Sequence, residues 1–321
     1  MPSRARNSID PFRWHHILIV GLIRLFTIPG LWLSKKNRIR DGVELQSITV
    51  PSRDKGRNIK VDLYLPEGGD SRHPTPALIH WHGSGFVMEA FGISREFCAL
   101  VAASTQCVVF DADYRKAPKH PFPAALQDAE DVVLYVARNS DRYDLSNIFL
   151  SGFSSGGNIA LVTASTLGPE RVKGVIGFYP IVDLTKQHTA PEKRVLAGYT
   201  IPHFIYDACF GTYIPPGHPH NDPRISVISA PTESFPRHVY LSCGDADLLY
   251  APATKLVEKL KKAGHMDAEF VGLKCMGHSF DMFENNTEAV RNKAKAYGGA
   301  VEMMNRAIGT RGGSGSDFAS K

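Results

Sequence analysis

Asn147-Ile148-Phe149-Leu150-Ser151-Gly152-Phe153-Ser154-Ser155-Gly156-Gly157-Asn158-Ile159-Ala160-Leu161-Val162 decides the fold. A β-type apolar run enters a Gly-x-Ser-x-Gly pentapeptide at residues 152–156 and leaves it as a helical pattern. Glycine and serine are common in this chain, so the pentapeptide alone says little, but a strand–turn–helix setting is what places a serine hydroxyl on a sharp, exposed turn. Flanking glycines let the backbone turn without a Cβ clash. The helix that follows directs partial positive charge at negative charge developing beside the serine. Ser154 is therefore expected to be a nucleophile.

Outward from this segment the chain alternates β-type runs with helical ones, which predicts a mainly parallel sheet covered on both faces. Leu45–Val50 and Ile59–Leu65 alternate apolar and polar residues, as at an antiparallel edge. Ala77–His82, Cys107–Asp111, Ile148–Ser151, Val172–Tyr179, His238–Cys243 and Ala268–Leu273 read as inner strands. Helices are expected at Arg95–Ser104, Ala124–Arg138, Ser155–Leu167, Pro252–Ala263 and Thr287–Ala307, the last weakened by Gly298-Gly299. Residues 41–308 form the main domain. Within it, residues 186–230, rich in His, Pro and aromatics, break the rhythm between the sixth and seventh strands and read as a cap. Residues 309–321 read as a flexible tail.

A serine hydroxyl needs a base. His278 is the one histidine placed after the last strand, where a parallel sheet delivers its loop to the same edge as Ser154. The orienting acid should leave the preceding strand, where Asp245 and Asp247 both stand in Cys243-Gly244-Asp245-Ala246-Asp247; spacing does not choose between them. His80-Trp81-His82-Gly83-Ser84-Gly85-Phe86 ends another strand in a glycine-rich loop. The amides of Gly83 and Ser84, with that of Ser155, suit an oxyanion hole. Phe86, Phe204, Tyr206 and Phe280 are candidates to line an apolar substrate pocket. His80 and His82 have metal-like spacing but no third ligand, so no metal is expected, and no cofactor.

Taken together, these residues resemble the hormone-sensitive-lipase (family IV) group of esterases in the α/β-hydrolase superfamily. The likeness spans roughly residues 77–285. It rests on His82-Gly83-Ser84-Gly85-Phe86, on Asp113-Tyr114-Arg115-Lys116-Ala117-Pro118 continuing to Pro121-Phe122-Pro123-Ala124-Ala125, on Gly156-Gly157-Asn158, on Asp247-Leu248-Leu249 and on Gly277-His278. The resemblance implies an α/β-hydrolase fold with a helical cap, and a serine carboxylic-ester hydrolase working through an acyl-enzyme on a small to medium apolar ester. It selects Asp247 as the acid. Two positions depart from the family pattern. Ser84 stands where glycine is usual and is expected to add a hydroxyl near the acyl pocket. Phe153 stands where an acidic residue is usual and is expected to pack. Lactonisation, deacetylation or cyclisation of a specialised metabolite would use the same triad. The plant gibberellin receptor also resembles this family but lacks the histidine, so His278 argues against a receptor.

Charge is concentrated in residues 1–40, where Arg4, Arg6, Arg13, Arg24, Lys35, Lys36, Arg38 and Arg40 face Asp10 alone, a net +7. The chain totals +5, so the remaining 281 residues carry −2, which excludes a nucleic-acid surface as a general feature. The apolar stretch Trp14–Leu33 in this arm is interrupted by Arg24 and by Pro29-Gly30, which disfavours a membrane span. It suits either a helix packed over the site or peripheral contact with an anionic membrane; the resemblance favours packing. Five cysteines, with no Cys-x-x-Cys pair, favour a reducing, cytoplasmic location, with the arm as a route to membrane association. Oligomeric state is not legible.

Overall fold

A computed structural model describes residues 11–34, 42–68 and 73–309. The flexible-tail expectation for residues 309–321 lies outside the described residues, apart from Gly309, which caps the last helix. In chain order the elements are α1 (Pro11–Ser34), β1 (Val43–Pro51), β2 (Asn58–Pro66), β3 (Thr75–Trp81), α2 (Arg95–Thr105), β4 (Val108–Ala112), α3 (Ala124–Arg138), β5 (Tyr143–Phe153), α4 (Ser155–Leu167), β6 (Gly174–Phe178), α5 (His203–Tyr213), β7 (His238–Gly244), α6 (Tyr250–Lys262), β8 (Ala268–Leu273) and α7 (Thr287–Ile308). The eight strands form one sheet in the order β1-β2-β4-β3-β5-β6-β7-β8. Its two antiparallel pairings, β1 with β2 and β2 with β4, lie at one edge, and all later pairings are parallel. This is the α/β-hydrolase fold.

Burial follows the patterns. β1, at the edge, buries only its ends, whereas β3, β4 and β6 are buried along nearly their whole length. The central strands carry helices on both faces and so cannot alternate. All five cysteines are free, four of them buried among apolar neighbours. Two expectations need correction. β5 begins at Tyr143, earlier than the apolar run at Ile148 suggests, because Tyr143 pairs with Thr75 ahead of that run. And α7 passes through Gly298-Gly299 without a break, held there against β7 by Tyr240, whose hydroxyl donates to Ala296 O at 2.9 Å.

The site edge of the sheet depends on one close approach. A Cβ on Gly156 would fall 2.0 Å from Trp81 O, so glycine alone lets the start of α4 lie against the end of β3. That approach brings the β3 and β5 loops together. Asn158, two residues on, donates to both Ile181 O and Ile225 O at 2.8 and 2.9 Å, tying the segment after β6 to α4.

Over this edge lie α1 and α5. Val20 is buried and Ile19 packs against the core, while a Cβ on Gly211 would fall 2.3 Å from the ring of His16, so the two helices cross closely. Arg24 donates to Val87 O from Nε and Nη2, at 2.8 and 2.6 Å, and to Ala117 O at 2.9 Å. A residue that reads as an obstacle to a membrane span is thus a clamp onto the domain. Among the described residues no helix is long and apolar enough to cross a membrane.

Gly156→Ala is expected to cost about 3 kcal/mol or more, since a backbone carbonyl in mid-sheet has no room to retreat. A denaturant midpoint within error of the parent would show that α4 can shift away from β3.

Candidate active site

Ser154 stands between β5 and α4 with φ 51° and ψ −114°, a conformation that L-residues rarely adopt. Its N–H donates to Phe178 O at 2.9 Å, which fastens the turn to the neighbouring strand. Oγ lies 3.0 Å from His278 Nε2, and His278 Nδ1 lies 2.7 Å from Asp247 Oδ2. The other oxygen of Asp247 accepts Leu249 N–H at 3.0 Å. Serine, histidine and aspartate are all buried, so electrostatic interactions among them are little screened by water. Asp245 sits elsewhere. It accepts Cys275 N–H at 2.7 Å and pairs with Lys193 at 2.8 Å, bracing the start of the histidine loop.

That loop is also held from above. His278 N donates to Tyr199 O at 2.8 Å, Tyr199 N to His278 O at 3.0 Å, and Gly277 N to Ala197 O at 2.8 Å. Tyr179 and Tyr199 set their rings against the imidazole edge-on, with centroids 4.9 and 5.6 Å away. The segment read as a cap therefore also supports His278, a role that nothing in its composition announces.

The glycine-rich loop after β3 carries a closed hydrogen-bond network. Ser84 N–H donates to Ser155 Oγ at 2.9 Å, and Tyr114 OH donates to His82 O at 2.9 Å. With its proton committed, the Tyr114 oxygen accepts from Ser84 Oγ at 2.6 Å and from Ser155 Oγ at 3.2 Å. The Tyr114 and Ser155 hydroxyls each both donate and accept, and the Ser84 hydroxyl donates. Ser84 itself lines the cavity, and its hydroxyl is engaged there by Tyr114. Gly83 N–H and Ser155 N–H remain as amides not engaged by another group among the described residues. The Asp113–Arg115 stretch proves to be scaffolding. Tyr114 secures the loop, and Arg115 donates to the fully buried Asp128 of α3 through its N–H at 2.8 Å and Nε at 3.0 Å.

Ser154 and His278 open onto a cavity of about 590 Å³, lined on one side by Ile23, Met88, Ile201, Ile205, Phe210 and Leu249, a size suited to a compact organic molecule. Of the four aromatic candidates, Tyr206 lines it. Phe86 is instead fully buried and stacked on Tyr213 at 3.8 Å. Phe280 is core beneath Tyr179, and Phe204, 58% exposed, stands outside the lining. Phe153 packs as expected, stacked with Tyr179, but also forms cavity wall.

The cavity has a polar end that sequence reading missed. Asp281 accepts from Tyr179 OH and Tyr297 OH, both at 2.7 Å; burial, then the charge of Asp281, raises both phenols well above their ordinary range. Lys293 bridges Glu96 and Glu284, each at 2.6 Å. Burial disfavours its charge, but the two carboxylates outweigh that and hold it protonated. These residues lie on α2, α7, the loop after β6 and the loop before α7, far apart in sequence, so no local motif joins them.

The His80/His82 pair is divided. His82 stacks on Tyr114 at 4.7 Å. His80 belongs to a buried polar row running in register across four strands, Asp62–Asp111–His80–Ser151, which the exposed Ser47 extends to the edge strand. Its Nδ1 lies 2.8 Å from Ser151 Oγ, and burial lowers its pKa to about 3. With Cys98 and Asp111 it forms the one group among the described residues whose donor atoms are close enough to share a metal ion, all within 4.8 Å.

A family model described as the alpha/beta hydrolase fold matches residues 78–305. Among curated proteins, the chain is similar to carboxylesterase 20 of Arabidopsis thaliana, 27% identical over 228 residues, which are 63% of this chain and 69% of that one. It is also similar to the versiconal hemiacetal acetate esterase of Emericella nidulans, 30% identical over 247 residues, 70% of this chain and 74% of that one. Among solved structures, a hyperthermophilic esterase from the archaeon Pyrobaculum calidifontis has a TM-score of 0.76 at 25% identity, covering 96% of this chain and 99% of that one.

Tyr114→Phe leaves His82 O and two serine hydroxyls short of a partner in a buried place. It is expected to lower unfolding free energy by about 1–3 kcal/mol, read by chemical denaturation. A loss below about 0.5 kcal/mol would mean the network is not closed as described.

Proposed function

The chain belongs to the α/β-hydrolase family and is a carboxylic-ester hydrolase, and on that premise we propose that Ser154, His278 and Asp247 carry its reaction. The observation that supports this most is the unbroken line of hydrogen bonds from Ser154 Oγ through the imidazole to Asp247 Oδ2, at 3.0 and 2.7 Å. His278 Nε2 takes the serine proton as Oγ bonds to the substrate's carbonyl carbon. When the tetrahedral intermediate collapses, the carbon–oxygen bond to the leaving alcohol breaks and His278 returns the proton to that oxygen. A water molecule, activated by the same nitrogen, then releases the carboxylic acid and regenerates serine. Asp247 stays ionised, keeps the proton on Nδ1 in the free enzyme and stabilises the imidazolium.

The amides of Gly83 and Ser155 serve as the principal oxyanion donors. That of Ser84 joins only by leaving Ser155 Oγ. The acyl or alcohol portion of a small to medium ester occupies the cavity, with Tyr206 and Phe153 as wall. Residues 186–230 and α1 act as its cap, a reading supported by Tyr199, Ile205 and Ile23 in the lining. The partner is a small-molecule ester, and residues 14–33 are proposed to meet a membrane peripherally.

A fluorophosphonate probe is expected to label the protein once, and Ser154→Ala to abolish both labelling and turnover of p-nitrophenyl acetate. Asp247→Asn should lower kcat by about 10³–10⁴ with little change in KM, whereas Asp245→Asn, which loosens a loop, should cost less than about tenfold. Undiminished labelling of Ser154→Ala, or the opposite ranking of the two aspartates, would overturn these roles.

A further inference from the structure

We infer that the outward face of α1, continuous with the rim of the cavity, is a docking surface for an anionic bilayer, and that the enzyme draws its ester from the lipid phase. The inference rests on the ester-hydrolase reading of the cavity and names its partner and substrate class.

α1 has two faces. The inner one buries Val20, lines the cavity with Ile23 and clamps the domain through Arg24. The outer one presents Trp14, Ile17, Leu18, Leu22 and Leu25, between 45% and 67% exposed and spaced by three or four residues along one side of the helix. A soluble surface rarely gathers so much apolar area in one stripe. It does not stop at the helix. Tyr199, Met282 and Phe283 are 40–48% exposed while lining the same cavity as Ile23, and Phe204, 58% exposed, stands at the start of the helix that α1 crosses. Nine of the thirteen large apolar side chains exposed among the described residues thus lie on α1, on α5 or around the opening.

Charge identifies the occupant. Residues 1–40 carry net +7 and the rest of the chain −2, and α1 itself contains no acidic residue. An apolar stripe between basic flanks matches an anionic lipid surface, where hydrocarbon burial and headgroup attraction add. A second copy of this chain matches it poorly, because pairing the two stripes would bring two +7 arms together. The bonds of Arg24 to Val87 and Ala117 hold α1 along the domain, so the helix lies on the bilayer instead of crossing it. An ester dissolved in the lipid then reaches Ser154 through the rim without entering water.

The test uses the full chain with vesicles of phosphatidylcholine alone or mixed with phosphatidylserine, read by flotation, and two substrates. One is water-soluble p-nitrophenyl acetate; the other is a long-chain p-nitrophenyl ester dissolved in the vesicles. Binding should need phosphatidylserine and weaken as salt shortens the Debye length to about 3 Å. Leu22→Ser and Leu25→Ser should each weaken it about tenfold or more and slow the vesicle-borne ester in step, while kcat/KM on the acetate stays within about twofold. Failure to bind anionic vesicles, binding indifferent to both substitutions, or a dimer by light scattering that the substitutions dissociate would each overturn the inference. Salt-sensitive binding that the substitutions weaken, in a chain that leaves p-nitrophenyl acetate untouched, would support the docking surface and overturn the hydrolase reading instead.

Discussion

Everything at the active edge depends on holding one residue in a backbone conformation it would not choose. At φ 51° and ψ −114° Ser154 pays roughly 1–3 kcal/mol relative to ordinary backbone, and it persists only because the surroundings leave no alternative. Its N–H is taken by β6, its carbonyl receives Asn158 N–H from α4 at 3.0 Å, and Gly156 is pressed against the end of β3. Three elements close on the turn from three directions. The consequence is that the hydroxyl projects from the sheet edge into the reach of a histidine 124 residues away in sequence.

The same edge shows how buried polarity is managed. In the hydroxyl network of Ser84, Tyr114 and Ser155, each proton has a defined acceptor, so the loop carrying Gly83 is fixed without any charge. The Asp281 carboxylate is different: it is held beside the cavity by two phenols, not by a cation. Lys293, a short distance along α7, is bound by two acids. The cavity is thus apolar toward Ile23 and Ile205 and polar where these groups close it.

Sequence alone carried the order of strands and helices and the positions of Ser154, His278 and the Asp245/Asp247 alternative, because those are local facts: a turn motif, a strand end, a residue type. What it missed is lateral. Phe86 and Phe280 read as pocket because aromatic residues near a catalytic motif have the right size, but burial depends on what lies across the gap, in their cases Tyr213 and Tyr179. The row Ser47–Asp62–Asp111–His80–Ser151 is hidden for the same reason. Their places along the chain do not relate them, and only the β1-β2-β4-β3-β5 order aligns them. Arg24 read correctly as incompatible with a span, yet its carbonyl partners at 87 and 117 are not inferable from the arm.

The pairing of Ala197 with Met276 and of Tyr199 with His278 has a consequence for how such enzymes diversify. A cap joined to its domain only by flanking hinges could be exchanged between relatives as a module, changing what is admitted while leaving the chemistry alone. Here the covering segment is stitched by backbone hydrogen bonds to the loop that carries His278. Divergence in that segment is therefore constrained near residues 197–199, where any drift moves the imidazole, and free farther out, where only the contour of the chamber is at stake. Chimaeras that respect this seam keep the imidazole where it is; those that cut across it must position it anew.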